Sequence, residues 1–154
     1  MRRREFIASA GGTLAAFIAA CGGGDDEEEL GPEWSPAGPV EGLKTNAYTK
    51  RRVALYPELD DKLTSIIYLR LESSPPGQRV IALNGRCTHL GCPTRYVAVS
   101  ERFICPCHGG VFDFDGRALA PIAPKRLRRY RTAVRDGLVY VGPSLDPPIK
   151  IPYS

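Results

Sequence analysis

Both histidines of this 154-residue chain, and four of its five cysteines, fall in two short segments. They read Cys87-Thr88-His89-Leu90-Gly91-Cys92 and Cys105-Pro106-Cys107-His108-Gly109-Gly110. The pattern is Cys-x-His, fifteen intervening residues, then Cys-x-x-His. Thiolates and imidazoles are metal ligands, and two such segments act together only if the fold lays them side by side. Each is flanked by short apolar runs of strand type, which suits two loops at one end of a sheet, each offering one sulfur and one nitrogen.

The rest of the chain supports an all-β fold. Sixteen Gly and fourteen Pro punctuate it, and apolar residues come in short runs rather than helical periods. Thr64–Leu71 and Val80–Leu83 are strand-like, and Tyr96–Val99 and Arg102–Ile104 flank a tight turn. Leu127–Val134 and Leu138–Val141 flank Arg135-Asp136-Gly137, a hairpin signal. Asp113-Phe114-Asp115-Gly116 marks another turn. No internal repeat or amphipathic helix is visible. The expected architecture is an antiparallel β-sandwich or small barrel with both Cys/His segments in loops at one end.

Residue types alone leave three readings of the paired segments. A tetrahedral zinc site takes two Cys and two His, although Cys-x-His is tight where gaps of two to four are usual. A [2Fe–2S] centre of the Rieske type takes two Cys on one iron and two His on the other. Two disulfides with idle histidines would be a third. With neutral imidazoles the diiron unit is uncharged when oxidised, so it accepts an electron more readily than a four-thiolate cluster. The two segments resemble the two boxes of Rieske iron–sulfur proteins, in the branch whose boxes each hold an extra Cys. The resemblance covers about Thr64 to Gly142. It implies that Cys87 and Cys105 bind one iron and that His89 and His108 bind the other. It also implies a disulfide between Cys92 and Cys107 and an all-β Rieske-like fold.

Three features depart from that family, the first two from its high-potential members. Gly110 stands where a Ser hydroxyl bonds a bridging sulfide, and Phe112 where a Tyr bonds a ligand sulfur. Hydrogen bonds to sulfur favour the reduced, more negative cluster, so a potential in the lower-to-middle part of the Rieske range is expected. Pro121-Ile122-Ala123-Pro124 keeps only the last two residues of the Gly-Pro-Ala-Pro loop that covers the cluster.

The amino terminus reads as an address. Arg3-Arg4-Glu5-Phe6-Ile7 resembles a twin-arginine export signal, with Arg2 in place of the usual Ser or Thr. The apolar run Ala8–Ala20 is shorter than the roughly 20 residues of a spanning helix. Ile18-Ala19-Ala20-Cys21 resembles a lipobox, which makes Cys21 the candidate lipid anchor; an uncleaved short anchor is the rival reading. The expected organisation is a signal at 1–20, a Gly-rich acidic tether at 21–42 and the Rieske domain at 43–154, with Trp34 docking on the head. Residues 25–29 are all acidic, and from Leu30 onward 18 basic residues face 11 acidic ones. Such a head suits an acidic protein partner or an anionic membrane surface, and no nucleic-acid motif accompanies the charge. In the run Lys125–Arg131, Leu127 is expected to point inward from a solvated basic face.

What the resemblance implies is a membrane-tethered electron carrier on the outer face of the cytoplasmic membrane. Its leading role is iron–sulfur subunit of a bc-type quinol:cytochrome c oxidoreductase, partnered by a cytochrome b-like subunit and a c-type cytochrome. His89 and His108 would then be both ligands and proton acceptors, with Leu90, Gly91 and Gly109 shaping the tip. A low-potential quinol such as menaquinol fits Gly110 and Phe112 better than ubiquinol. Alternatives are the small Rieske subunit of an exported arsenite-oxidase-like enzyme and a zinc-stabilised binding module. A ring-hydroxylating oxygenase ferredoxin fits less well, since those lack the extra cysteines and the export signal.

Overall fold

Strand-forming residues gather between turn residues, and the chain folds accordingly. The computed structural model describes residues 30–55, 64–74 and 77–146. They form β1 (Ser35–Pro39), β2 (Thr49–Ala54), β3 (Thr64–Ser74), β4 (Gly77–Asn84), β5 (Arg95–Val97), β6 (Arg102–Cys105), β7 (Gly110–Phe112), β8 (Arg129–Arg135) and β9 (Leu138–Ser144). Among the described residues the one helical element is a 3-10 turn, Ala98–Ser100. The candidate signal, Cys21 and the acidic run 25–29 lie outside the described residues, as do residues 147–154.

Six strands form one antiparallel sheet in the order β1-β9-β8-β4-β3-β2. Its two ends curl toward each other: a Cβ on Gly38 in β1 would lie 3.7 Å from Arg51 Nε in β2. The result is a nearly closed barrel. The other three strands form a small sheet, β5-β6-β7, which carries the second Cys/His segment on its β6–β7 turn.

Alternation along the central strands divides two cores. Ile67 and Leu69 of β3 and Val80 and Ala82 of β4 point into the barrel, with Val53, Val139 and Val141. The intervening Tyr68, Ile81 and Leu83 point the other way, onto Phe103, Phe112, Cys87, Cys105, Ala123 and Leu127. The period of two is that of a pleated strand buried on both faces. It seats the small sheet on the barrel wall. Leu127 is fully buried, as its place in the basic run predicts.

At the β8–β9 hairpin, Asp136 and Gly137 take φ of 49° and 73°. Two successive left-handed residues make a tight turn whose twist matches the strands it joins. The structure differs from the expected boundary at residue 43. Trp34 is buried and Ser35–Pro39 is a sheet strand paired with β9, so residues 34–39 belong to the folded head and not to a tether. Trp34 lies flat on Gly142, where a Cβ would come within 2.7 Å of its ring, and Arg131 lies over its face at 5.6 Å. That one aromatic anchor and the β9 pairing hold a Gly- and Pro-rich segment that has little strand propensity of its own.

Candidate metal centre

The two Cys/His loops share one local design. In the first, the Gly91 amide donates to the Cys87 carbonyl at 2.9 Å; in the second, the Gly109 amide donates to the Cys105 carbonyl at 3.1 Å. Each glycine has positive φ, 77° and 72°. A turn that closes four residues on and ends left-handed selects Gly. The spacing Cys-x-x-x-Gly common to both segments is therefore the loop's backbone requirement. The Cys87 amide also donates to the Cys92 carbonyl at 2.8 Å, and Tyr68 and Thr94 tie the loop's exit to the barrel through the Thr94 and Gly85 carbonyls.

The loops bring the predicted residues together. Cys87 and Cys105 are free thiols, 4% and 2% exposed. The His89 and His108 rings meet edge to face, with centroids 4.9 Å apart. Cys92 and Cys107 form a disulfide joining the loops, with Cα atoms 6.6 Å apart. Leu90 at the tip is 71% exposed. The loop 121–124 lies against the site despite its altered sequence. Ala123 packs with both free cysteines in the second core, and Thr88 Oγ1 donates to the Lys125 carbonyl at 2.6 Å.

Two features fit a bound diiron unit. His89 Nδ1 is buried and has no hydrogen-bond partner, a costly state for a ring nitrogen unless a metal takes it. Among the described residues, the one trio of Cys, His or carboxylate donor atoms within 4.8 Å of one another is Cys92, Cys105 and Cys107, two of which are spent in the disulfide. No three of Cys87, His89, Cys105 and His108 converge on a single point. That spread suits two metal atoms better than one tetrahedral zinc. Burial pushes the Cys87 thiol up. The amides of His89 and Leu90 oppose this by donating to its sulfur, and neighbouring Cys105 adds to the rise. Metal binding must displace that proton.

The Rieske [2Fe-2S] domain family matches residues 33–131, well over half of the chain and from two residues before β1. This chain belongs to the Rieske [2Fe–2S] family. The Rieske domain's cofactor is accordingly a [2Fe–2S] cluster, and zinc is set aside. The cytochrome b6-f complex iron-sulfur subunit of Chlorobaculum tepidum is 32% identical over 65 residues, 42% of this chain and 36% of that one. The menaquinol:cytochrome c reductase iron-sulfur subunit of Bacillus subtilis is 36% identical over 72 residues, 43% and 42% of the two chains. The alignments thus span about two fifths of these relatives. Among solved structures, the cyanobacterial plasma membrane Rieske protein PetC3 from Synechocystis PCC 6803 superposes with a TM-score of 0.52. It is 24% identical over 70% of this chain and 98% of that one, and the likeness shows the fold.

The Rieske domain also contains a residue that the sequence reading passed over. Arg70, on β3, is buried. Its Nε donates to Tyr48 Oη at 3.0 Å, and its Nη2 reaches Glu72 at 3.1 Å and Asp115 at 3.0 Å. Its guanidinium stacks over Phe114 at 4.7 Å. Tyr48 Oη in turn donates to the Phe114 carbonyl at 2.9 Å. One cation thus joins the barrel to the turn that follows β7. Only its place on the Tyr68 face of an apolar strand hints at this.

Proposed function

We propose that Cys87 and Cys105 hold one iron and His89 and His108 the other, and that the protein is the iron–sulfur subunit of a bc-type quinol:cytochrome oxidoreductase. The cluster supplies a one-electron couple. The chain's own residues do the rest. Buried Cys87 and Cys105 keep water from the sulfur side, while exposed His108 presents its ring at the tip. A histidine that ligates through one ring nitrogen can hold or release a proton at the other, which couples proton to electron. Leu90 and Gly109 give the tip an apolar, uncluttered surface on which a quinol ring can lie.

The observation that carries the ligand assignment is the buried, partnerless Nδ1 of His89, whose ring meets that of His108, in loops that also hold two free buried thiols. The bc-type role is supported by the relatives' names, and menaquinol as donor by the Bacillus subtilis relative together with Gly110 and Phe112. The partners would be a cytochrome b-like subunit and a c-type or f-type cytochrome. We extend the proposal to export by the twin-arginine route and to a lipid on Cys21, which would tether the head outside the cytoplasmic membrane.

The test is spectroscopic. Histidine labelled with nitrogen-15 should give two nitrogen couplings in the reduced protein. His89→Ala and His108→Ala should each abolish the cluster's visible absorption. Iron–sulfur absorption retained in either variant would defeat the assignment. Menaquinol-dependent reduction of a c-type cytochrome by membranes carrying the protein, absent without it, tests the role. Cys21→Ser should release the head from those membranes.

A further inference from the structure

We propose that Cys105 and the Cys92–Cys107 disulfide form an exchange switch that operates when the cluster is lost; this rests on the ligand assignment above. The sulfurs of Cys92, Cys105 and Cys107 all lie within 4.8 Å of one another. Cys105 is a free thiol beside an intact disulfide. While it binds iron, its sulfur lone pair is committed to the metal. Once the iron leaves, the Cys105 sulfur is free next to a disulfide, and its deprotonated form is a nucleophile toward that bond. Thiolate attack on a disulfide sulfur is the general route by which such bonds rearrange.

The step balances without an external oxidant or reductant. Cys105 Sγ attacks Cys92 Sγ. The Cys105–Cys92 bond forms as the Cys92–Cys107 bond breaks. Cys105 gives its proton to water before it attacks, and the electron pair of the broken bond leaves on Cys107 Sγ, which takes a proton back from water. One disulfide exists before and one after. Cys107 suits the leaving role because it is exposed and water can solvate the departing thiolate. Attack on Cys107 instead would link two cysteines across Pro106 alone, a short ring stiffened by proline. Cys87 remains a buried thiol outside the trio.

The consequence is a protein that records cluster loss. With Cys105 tied to Cys92, one sulfur ligand is gone, and reloading waits for a thiol reductant to reverse the exchange.

The experiment uses the full chain loaded with its cluster. The cluster is stripped anaerobically with an iron chelator and no thiol, free thiols are alkylated, and the peptide containing residues 105 and 107 is sequenced by fragmentation. The expected result is that the alkyl label moves from Cys105 to Cys107 in most molecules. Reloading with iron and sulfide should recover several-fold more cluster when a dithiol reductant is added first. Cys87→Ser, which keeps the trio, should show the rearranged map without a chelator, and Cys105→Ser should keep Cys107 protected. Label that stays on Cys105 after cluster loss overturns the proposal, as does labelling of Cys107 in Cys105→Ser. Iron content and the spectrum of the starting protein report the ligand assignment separately, so a failure there is distinguishable from a failure of the exchange.

Discussion

A Cβ added to Gly110 would lie 3.2 Å from the Cys87 sulfur and 3.4 Å from the Cys105 Cβ. A serine there needs a shift of a few tenths of an ångström, and its hydroxyl would then lie beside the Cys87 sulfur, within reach of a bound cluster. Phe112 is fully buried in the same core as both free cysteines. Gly110→Ser and Phe112→Tyr are each expected to raise the reduction potential. If each new bond favours the reduced state by about 1 kcal/mol, the rise is about 40 mV, because a tenfold ratio is about 59 mV for one electron. Protein-film voltammetry reads this directly, and an unchanged or lower potential in both variants would refute the hydrogen-bond account. The amides of His89 and Leu90 already donate to Cys87, so the native site is not bare of sulfur bonds.

β3 works as the partition between two cores, and Arg70 is its polar member. Arg70→Met keeps an unbranched apolar stem and removes the guanidinium with its charge and donors. It removes the donor to Tyr48 Oη and to Asp115 while Glu72 keeps its ion pair with Arg79, and the Asp115 side chain is half exposed. A loss of about 2 kcal/mol is expected, below the range for a fully buried pair because water can reach the acid. Urea unfolding measures it. Tyr48, just before β2, is pushed up to about 12 by burial, against the opposing pull of Arg70. Between the ordinary tyrosine value of 10.0 and about 12 the unfolded chain releases a proton that the folded chain keeps. Stability from this group is therefore whole below the lower value and falls as pH rises through the window. Phenolate absorbance should show Tyr48 titrating late, and the urea midpoint should drop over the same range. Tyr68 and Tyr96 move the same way, again through burial.

Across the molecule, stability is shared between a barrel core and a second core under the cluster loops. The Cys92–Cys107 disulfide, with a sequence separation of 15, belongs to the second. Replacing both cysteines by serine should cost about 3 kcal/mol on the chain-entropy account of a loop that size. The loss should be uneven. Hydrogen exchange should quicken at the Cys87, Gly91 and Gly109 amides, while β3 and β4 amides facing the barrel core change little. Uniform loss of protection would mean that the two cores do not open independently. The sequence by itself determined the ligand-type residues, their place in two loops, the Asp136-Gly137 hairpin and the all-β class, because each is written in neighbouring residues. Only the tertiary structure decided that Ser35–Pro39 is a strand, since its order comes from β9, a hundred residues away, and from Trp34 on Gly142. The same holds for Arg70, whose charge is balanced in part by Asp115, and for the sulfur trio, which exists only once two loops meet. Local pattern sets backbone shape, but partners distant in sequence decide what that shape buries.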